Sequence, residues 1–292
     1  MSDSLRALVA DELAVPVDSR VTEVATEIAN QHPRVARAVL FYGSCLRDGQ
    51  IEDRMLDFYL IVSSYREAFG KSWLATANRL LPPNVFYFEA HGLVAKYAVL
   101  SEADFDRECG PNATSTSVLA RFAQPARLVF TSDSSAIGAV TDSISNCAPT
   151  LLRWTLALAP QESLLDIWKL AFRQTFATEI RAERVDRSAE IVDADPERYL
   201  KFGQASAARL TLIPDIRSAQ SWWRRMRRRG KLLSVLRLAK ASFTFAGGAD
   251  YIAWKINRHA GTKIELRPWQ RRHPLLAGLS LLPRLLKSGA IR

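Results

Sequence analysis

Cysteine is scarce in this chain: Cys45, Cys109 and Cys147 are the only three among 292 residues. They form no CxxC pair and leave one over, so neither a disulfide framework nor a zinc site is expected, and a reducing compartment is. Histidine is nearly as scarce, and His32, His91, His259 and His273 are too scattered for a metal site. No stretch offers about 18 uninterrupted apolar residues, so no helix is expected to cross a bilayer. Residues 1–30 hold Asp3, Asp11, Glu12 and Asp18 and no apolar run, which argues against a signal peptide. Repeats and low-complexity segments are absent.

What remains is ordinary for a globular protein: 48% hydrophobic and 24% charged residues are enough for a sizeable core. The length suits two domains, or one with a large extension. The charge is placed unevenly. From Arg217 to Arg292, 18 Lys and Arg face only Asp250 and Glu265, a net of +16; with +10 for the whole chain, residues 1–216 carry −6. An acidic front joined to a basic tail points to a polyanionic surface, lipid or nucleic acid.

Read in order, residues 2–31 predict two helices, the second capped at Asp18 or Ser19 and closed by His32-Pro33. Residues 66–81 predict a helix stopped by Pro82-Pro83. Asn84 to Glu89 and Ala95 to Leu100 predict a hairpin turning at His91-Gly92. Ser101 caps a further helix, Val118 to Gln124 reads as helical, and Ala126 to Phe130 as a last strand. From Asp133 to about Ala208 the pattern is helical. Ser163 to Arg181 is apolar enough to be buried, and Asp195-Pro196 opens another helix. In the tail, Trp222-Trp223 precede Arg224, Arg225 and Arg227 to Arg229, then a helix from Leu232 toward Phe243, the segment Tyr251 to Arg258, and an apolar stretch at 274–286. A Trp- and Arg-rich segment too short to span suits a membrane interface. A helical subdomain with a solvated basic face, or a nucleic-acid surface, would show the same composition.

The chemistry concentrates between Val39 and Val62. An apolar run ends at Tyr42-Gly43-Ser44; after an acidic loop a second run, Met55 to Val62, encloses one carboxylate, Asp57. Burying an unpaired charge is costly, so Asp57 either has a partner, sits at an edge, or has a job. Strand, Gly-Ser turn, loop, then strand with an embedded Asp resembles the core of the nucleotidyltransferase superfamily. That resemblance implies that the turn cradles phosphates and that Asp57 holds magnesium. Two residues on, where a second acid shares the strand face, stands Tyr59. Glu89 reads either as a further oxygen ligand or as a surface strand-end glutamate, and Glu52 and Asp53 fall in a loop. Lys96 either answers triphosphate charge or snorkels from a strand edge; Arg121 has a similar choice. Cys45, at a helix start, is expected to have an acidified thiol.

The chain is also similar to the mitochondrial CDP-diacylglycerol synthases, the translocator assembly and maintenance proteins. The likeness runs through Tyr42-Gly43-Ser44, Leu56-Asp57-Phe58, Lys96-Tyr97 with Val99-Leu100-Ser101, Arg121-Phe122-Ala123-Gln124-Pro125, Phe243-Thr244, Ala246-Gly247 and Tyr251-Ile252-Ala253-Trp254, and so covers most of the chain. It departs at Cys45, where eukaryotic members usually have Gly, and at residues 66–78, which replace a His- and Asn-rich stretch. That family also lacks the second acid that Tyr59 replaces here.

The resemblance implies an α+β chain: a nucleotidyltransferase-fold mixed sheet with helices at 1–135, a mainly helical, winged-helix-like domain at 136–216, and a basic amphipathic membrane-associating region at 217–292. The implied activity is a phosphatidate cytidylyltransferase, transferring CMP from CTP to phosphatidic acid with magnesium and releasing pyrophosphate. Asp57 and Lys96 would be catalytic, Gly43, Ser44 and Arg121 would bind nucleotide, and Asp57 with Glu89 would hold the metal. Without a transit peptide the expectation is a bacterial relative, peripheral on the cytoplasmic face of the inner membrane. An anionic membrane surface is then the expected partner, and nucleic acid is disfavoured. The alternatives are a protein of the same fold acting on RNA through its basic tail, or a non-catalytic membrane-bound relative.

Overall fold

Alternation along the apolar runs gives each central strand two buried faces, which calls for cover on both sides. The protein, described by a computed structural model over residues 4–70, 73–179, 187–244 and 267–272, answers with a mixed sheet between helical layers. The strands are β1 (Ala36–Tyr42), β2 (Met55–Val62), β3 (Asn84–Ala90), β4 (Leu93–Ser101) and β5 (Ala126–Thr131). Their order is β3-β4-β2-β1-β5, with β2 and β4 parallel and the other neighbours antiparallel. The expected α+β architecture is therefore what the chain forms.

Helices α1 (Ser4–Leu13) and α2 (Ser19–Asn30) precede the sheet, and α3 (Ser44–Asp48), α4 (Tyr65–Phe69), α5 (Trp73–Leu80), α6 (Glu102–Cys109) and α7 (Ser117–Phe122) lie in its connections. After it come α8 (Ser134–Ile144), α9 (Cys147–Leu156), α10 (Leu164–Phe176), α11 (Ser188–Asp193), α12 (Pro196–Ala207) and the long α13 (Ile216–Thr244). The expected caps are in place: the side chains of Asp18, Ser101 and Asp195 each accept from a backbone N–H of the first turn, worth about 1 kcal/mol apiece. His91 and Gly92, at φ 52° and 72°, make the tight turn between β3 and β4. One helix at 66–81 is not what forms. Gly70, at φ 65°, ends α4, and a second helix starts at Trp73. Glycine just past a helix end is an ordinary stop.

On one sheet face Val39, Phe41, Phe58, Leu60 and Val99 pack against α2 and its neighbours. On the other, Leu40, Tyr59, Ile61, Ala98 and Leu100 share a continuous core with Leu5, Trp168, Phe172, Tyr199 and Met226. That core runs across position 135, so sheet and helical region bury a common face. Arg198 fastens it: its guanidinium bonds both carboxylate oxygens of Glu12, the Nη2 contact at 2.9 Å, and donates from Nη1 to Ala123 O at 3.1 Å. Among the described residues after Thr131, helices are the regular structure present.

The tail differs from expectation at the Trp pair. Trp222 and Trp223 are buried. The Trp222 ring stacks on Trp154 at 5.2 Å and 8°, and Trp223 Nε1 donates to Trp154 O at 3.3 Å. The reason is helical period. Trp222, Trp223, Met226 and Gly230 form one buried stripe of α13, while Arg224, Arg225 and Arg227 to Arg229 occupy the exposed remainder. Gly230 sits so close to the turn after α10 that a Cβ there would lie 2.5 Å from Thr178 O. Farther along α13, Leu232, Val235 and Leu236 are exposed. The stretches 251–258 and 274–286 lie outside the described residues. No described helix is long and apolar enough to cross a membrane.

Candidate active site

Strand register builds the site. Tyr42 on β1 pairs with Asp57 on β2, Asp57 with Lys96 on β4, and Lys96 with Tyr87 on β3, so one row of the sheet carries all four. The backbone then turns sharply after Tyr42. Gly43, at φ 94° and ψ −161°, holds a conformation that side chains rarely tolerate, and Ser44 starts α3. The turn lies directly on the strand carboxylate: a Cβ on Gly43 would stand 2.9 Å from Asp57 Oδ2.

The Asp57 carboxylate is 19% exposed and accepts from Lys96 Nζ at 3.0 Å through Oδ1. Half-burial of the carboxylate is thus offset by a cation one strand away. Tyr59, in the place of a second acid, is core: buried, it packs on the rings of Tyr42 and Phe122, each with centroids 5.3 Å from its own. Burial pushes its hydroxyl above the ordinary tyrosine range.

Above this row lies a cavity of about 550 Å³, within the size range of small-molecule sites. Arg121 reaches it from α7, donating from Nη1 to Ser117 O at 2.7 Å, Ser117 Oγ at 2.9 Å and Glu179 Oε1 at 3.2 Å. Burial alone would lower the Arg121 pKa, but Glu179, Tyr59 and Tyr42 together outweigh it and hold the guanidinium charged. Arg47, from α3, meets Gln124 Oε1 at 3.5 Å. From the far side α13 contributes Arg237, whose Nε donates to Pro82 O at 2.8 Å. Burial, with the Arg121 charge adding to it, pulls the Arg237 pKa below its ordinary value. One turn on, Lys240 Nζ bonds Leu81 O and, at 2.7 Å, Pro83 O. Among the described residues, five cations line the cavity (Arg47, Lys96, Arg121, Arg187 and Arg237) against two carboxylates, Asp57 and Glu179. Such an excess suits a polyanion.

Of the residues singled out by sequence, Gly43, Ser44, Asp57, Lys96 and Arg121 converge here. Glu89 does not. The two-residue strand period puts it one step past Tyr87, opposite Val94, where it is exposed, accepts from Tyr87 Oη at 3.0 Å and stays outside the cavity lining. Glu52 is likewise engaged elsewhere, with Arg20 at 2.7 Å. Cys45 is buried rather than acidified; burial and the Asp57 charge push its thiol up. Sequence reading missed Arg237, Glu179 and Arg47. The signal for Arg237 was a lone arginine between Leu236 and Leu238.

The donor set bears on magnesium. Among the described residues no group of three His, Cys, Asp or Glu side chains gathers to hold a metal. Asp57 with the Ser44 hydroxyl nevertheless suits an ion that arrives on substrate phosphates, since magnesium commonly keeps one or two protein carboxylates and fills its remaining sites with phosphate and water.

No protein-family model matches the chain, and no curated protein matches it. Among solved structures it is similar to a nucleotidyltransferase-like protein from Exiguobacterium sibiricum, at 12% identity, with 92% of each chain covered and a TM-score of 0.30. So loose a superposition carries no weight for the site, which stands on its own geometry.

Proposed function

We propose that this protein is a nucleotidyltransferase that moves CMP from CTP to a lipid phosphate at a membrane surface, as a phosphatidate cytidylyltransferase. The observation that carries the reading is the Asp57–Lys96 pair lying directly under the Gly43-Ser44 turn, in a cavity with excess positive charge. An acceptor phosphate oxygen attacks the α-phosphorus, the bond to the bridging oxygen of the β-phosphate breaks, and pyrophosphate leaves. Little side-chain chemistry is needed; positioning and charge compensation do most of the work. Gly43 lets the backbone approach the phosphates and Ser44 offers its hydroxyl. Lys96 offsets charge on the departing pyrophosphate, and Arg121 adds positive charge farther along the cavity. Asp57 and Ser44 would hold a magnesium ion, which when bound neutralises phosphate charge. The choice of CTP rests on the family resemblance. The lipid acceptor rests on that resemblance and on α13, with its exposed arginines and its exposed Leu232, Val235 and Leu236.

The test is pyrophosphate release with magnesium, a panel of the four nucleoside triphosphates, and vesicles containing phosphatidic acid. CTP is expected to support turnover, and Asp57→Asn to hold its fold while losing more than about nine-tenths of the rate, as expected when a metal ligand is lost. Near-normal turnover in Asp57→Asn sinks the assignment. The exposed arginines of α13 also suit an RNA backbone, so retarding an RNA probe while failing to pellet with anionic vesicles would favour a polynucleotide substrate.

A further inference from the structure

We propose that Arg237, together with Arg121, forms a second phosphate subsite on the α13 side of the cavity, and that it takes the phosphomonoester of the acceptor. This rests on the transferase reading above and assigns a substrate contact to the basic tail.

Arg237 is held in place without being used up. Its Nε is spent on Pro82 O at 2.8 Å, and among the described residues its two Nη groups have no hydrogen-bond partner while it lines the cavity. Lys240, bonded to the Leu81 and Pro83 carbonyls, fixes the same turn of α13 to the segment entering β3. The close Gly230–Thr178 approach fixes the helix two turns earlier. The guanidinium is therefore part of a built wall.

The subsite is separate from the triphosphate end. Arg237 acts on Tyr59, which lies two residues beyond Asp57 along β2, a rise of about 7 Å, while Arg121 touches both Tyr59 and, on the Asp57 row, Tyr42. Lys96, Gly43 and Ser44 occupy the Asp57 row. Among the described residues, Glu108 and Glu179 are the carboxylates that act on Arg237, and of these Glu179 lines the cavity. A phosphate bridging the two guanidinium groups gains charge-assisted contacts and relieves their mutual repulsion. The acceptor is favoured as its source because Leu233, four residues back and so on the Arg237 face of α13, is an apolar side chain left half-buried. A molecule with a phosphate head and an apolar tail meets both features at once.

The experiment uses the full chain, magnesium-CTP titrated calorimetrically, and a short-chain, micelle-free phosphatidic acid as acceptor, so that vesicle docking plays no part. Arg237→Gln is expected to leave the CTP dissociation constant within about twofold while raising the acceptor KM by about ten- to a hundredfold, the loss of one charge-assisted contact. Arg237→Lys should recover part of the loss. Equal weakening for CTP and acceptor would move the subsite to the nucleotide and overturn the proposal, and an unchanged acceptor KM would reduce Arg237 to a strut on Pro82. If Arg237→Gln loses its folded signal, Arg237→Lys carries the same comparison. A wild type inactive with every nucleotide and acceptor sinks the transferase reading only. The subsite then stands on inorganic phosphate, which should raise the melting temperature of wild type and Lys96→Ala but not of Arg237→Gln. A rise in Arg237→Gln equal to wild type overturns it.

Discussion

Gly43→Ala tests the geometry of the site more sharply than any change of a charged residue. Two costs are built into the position. At φ 94° and ψ −161° an alanine pays backbone strain, on the order of 1–3 kcal/mol. Its methyl would also stand 2.9 Å from Asp57 Oδ2 and 3.3 Å from Asp57 Cβ, so the carboxylate must swing away, disturbing the 3.0 Å contact to Lys96. Together these predict a loss of roughly 2–4 kcal/mol, or a melting temperature lower by roughly 5–10 °C in a chain of this size. Magnesium-CTP binding should weaken beyond the detection limit of calorimetry, because the turn and the carboxylate move together. Ser44→Ala serves as the control, since it removes a hydroxyl without strain; its melting temperature should stay within about 1 °C of wild type while CTP binding weakens. A Gly43→Ala protein that melts with wild type and binds CTP normally would show that the turn does not rest on Asp57 and that Gly43 forms no part of a phosphate site.

Two further outcomes are expected. Trp222→Ala should cost about 3–5 kcal/mol, read as a lower denaturant midpoint, while pelleting with anionic vesicles is unchanged; lost pelleting at full stability would mean that the ring serves a bilayer. Burial, with Arg237 alongside, lowers the Lys240 pKa to about 7, so its amine becomes reactive as pH rises through that value, whereas an ordinary lysine waits until about 10.4. Acylation followed by peptide mass spectrometry should show a midpoint near 7 for Lys240, and no labelling below pH 9 would refute the burial argument.

Much of the front of the chain was legible because local rules governed it. Asp18, Ser101 and Asp195 announce helices through cap chemistry, and the Leu56-Asp57-Phe58 pattern announces a strand with both neighbours buried. The turn at Gly43 was legible for the same reason. What joins Asp57 to Lys96 was not, because a parallel pairing across the intervening α4, α5 and β3 depends on topology that no local pattern records. Glu89 shows another limit: it was singled out as the acid ending its strand, and the antiparallel register sets it opposite Val94, one step beyond the row that matters. The tail shows a different limit. Flanking arginines suggested that Trp222 and Trp223 face outward, yet the spacing to Met226 and Gly230 already marked a buried helical stripe. Arg237 could be flagged as out of place among leucines, but not located, since its destination is set by how α13 crosses the strand entrance at Pro82.

The continuous core has a consequence for synthesis. The sheet has all its strands once Thr131 is made, but the cover over Leu40, Tyr59 and Trp154 includes Trp222, Trp223 and Met226. At a translation rate of about 5–20 residues per second, the intervening segment takes roughly 5–20 s to appear. During that interval the nascent chain displays aromatic surface that only its own later helix can cover. Chaperone demand should therefore be concentrated in this window, and ribosomes stalled between Thr131 and Met226 should yield aggregation-prone fragments.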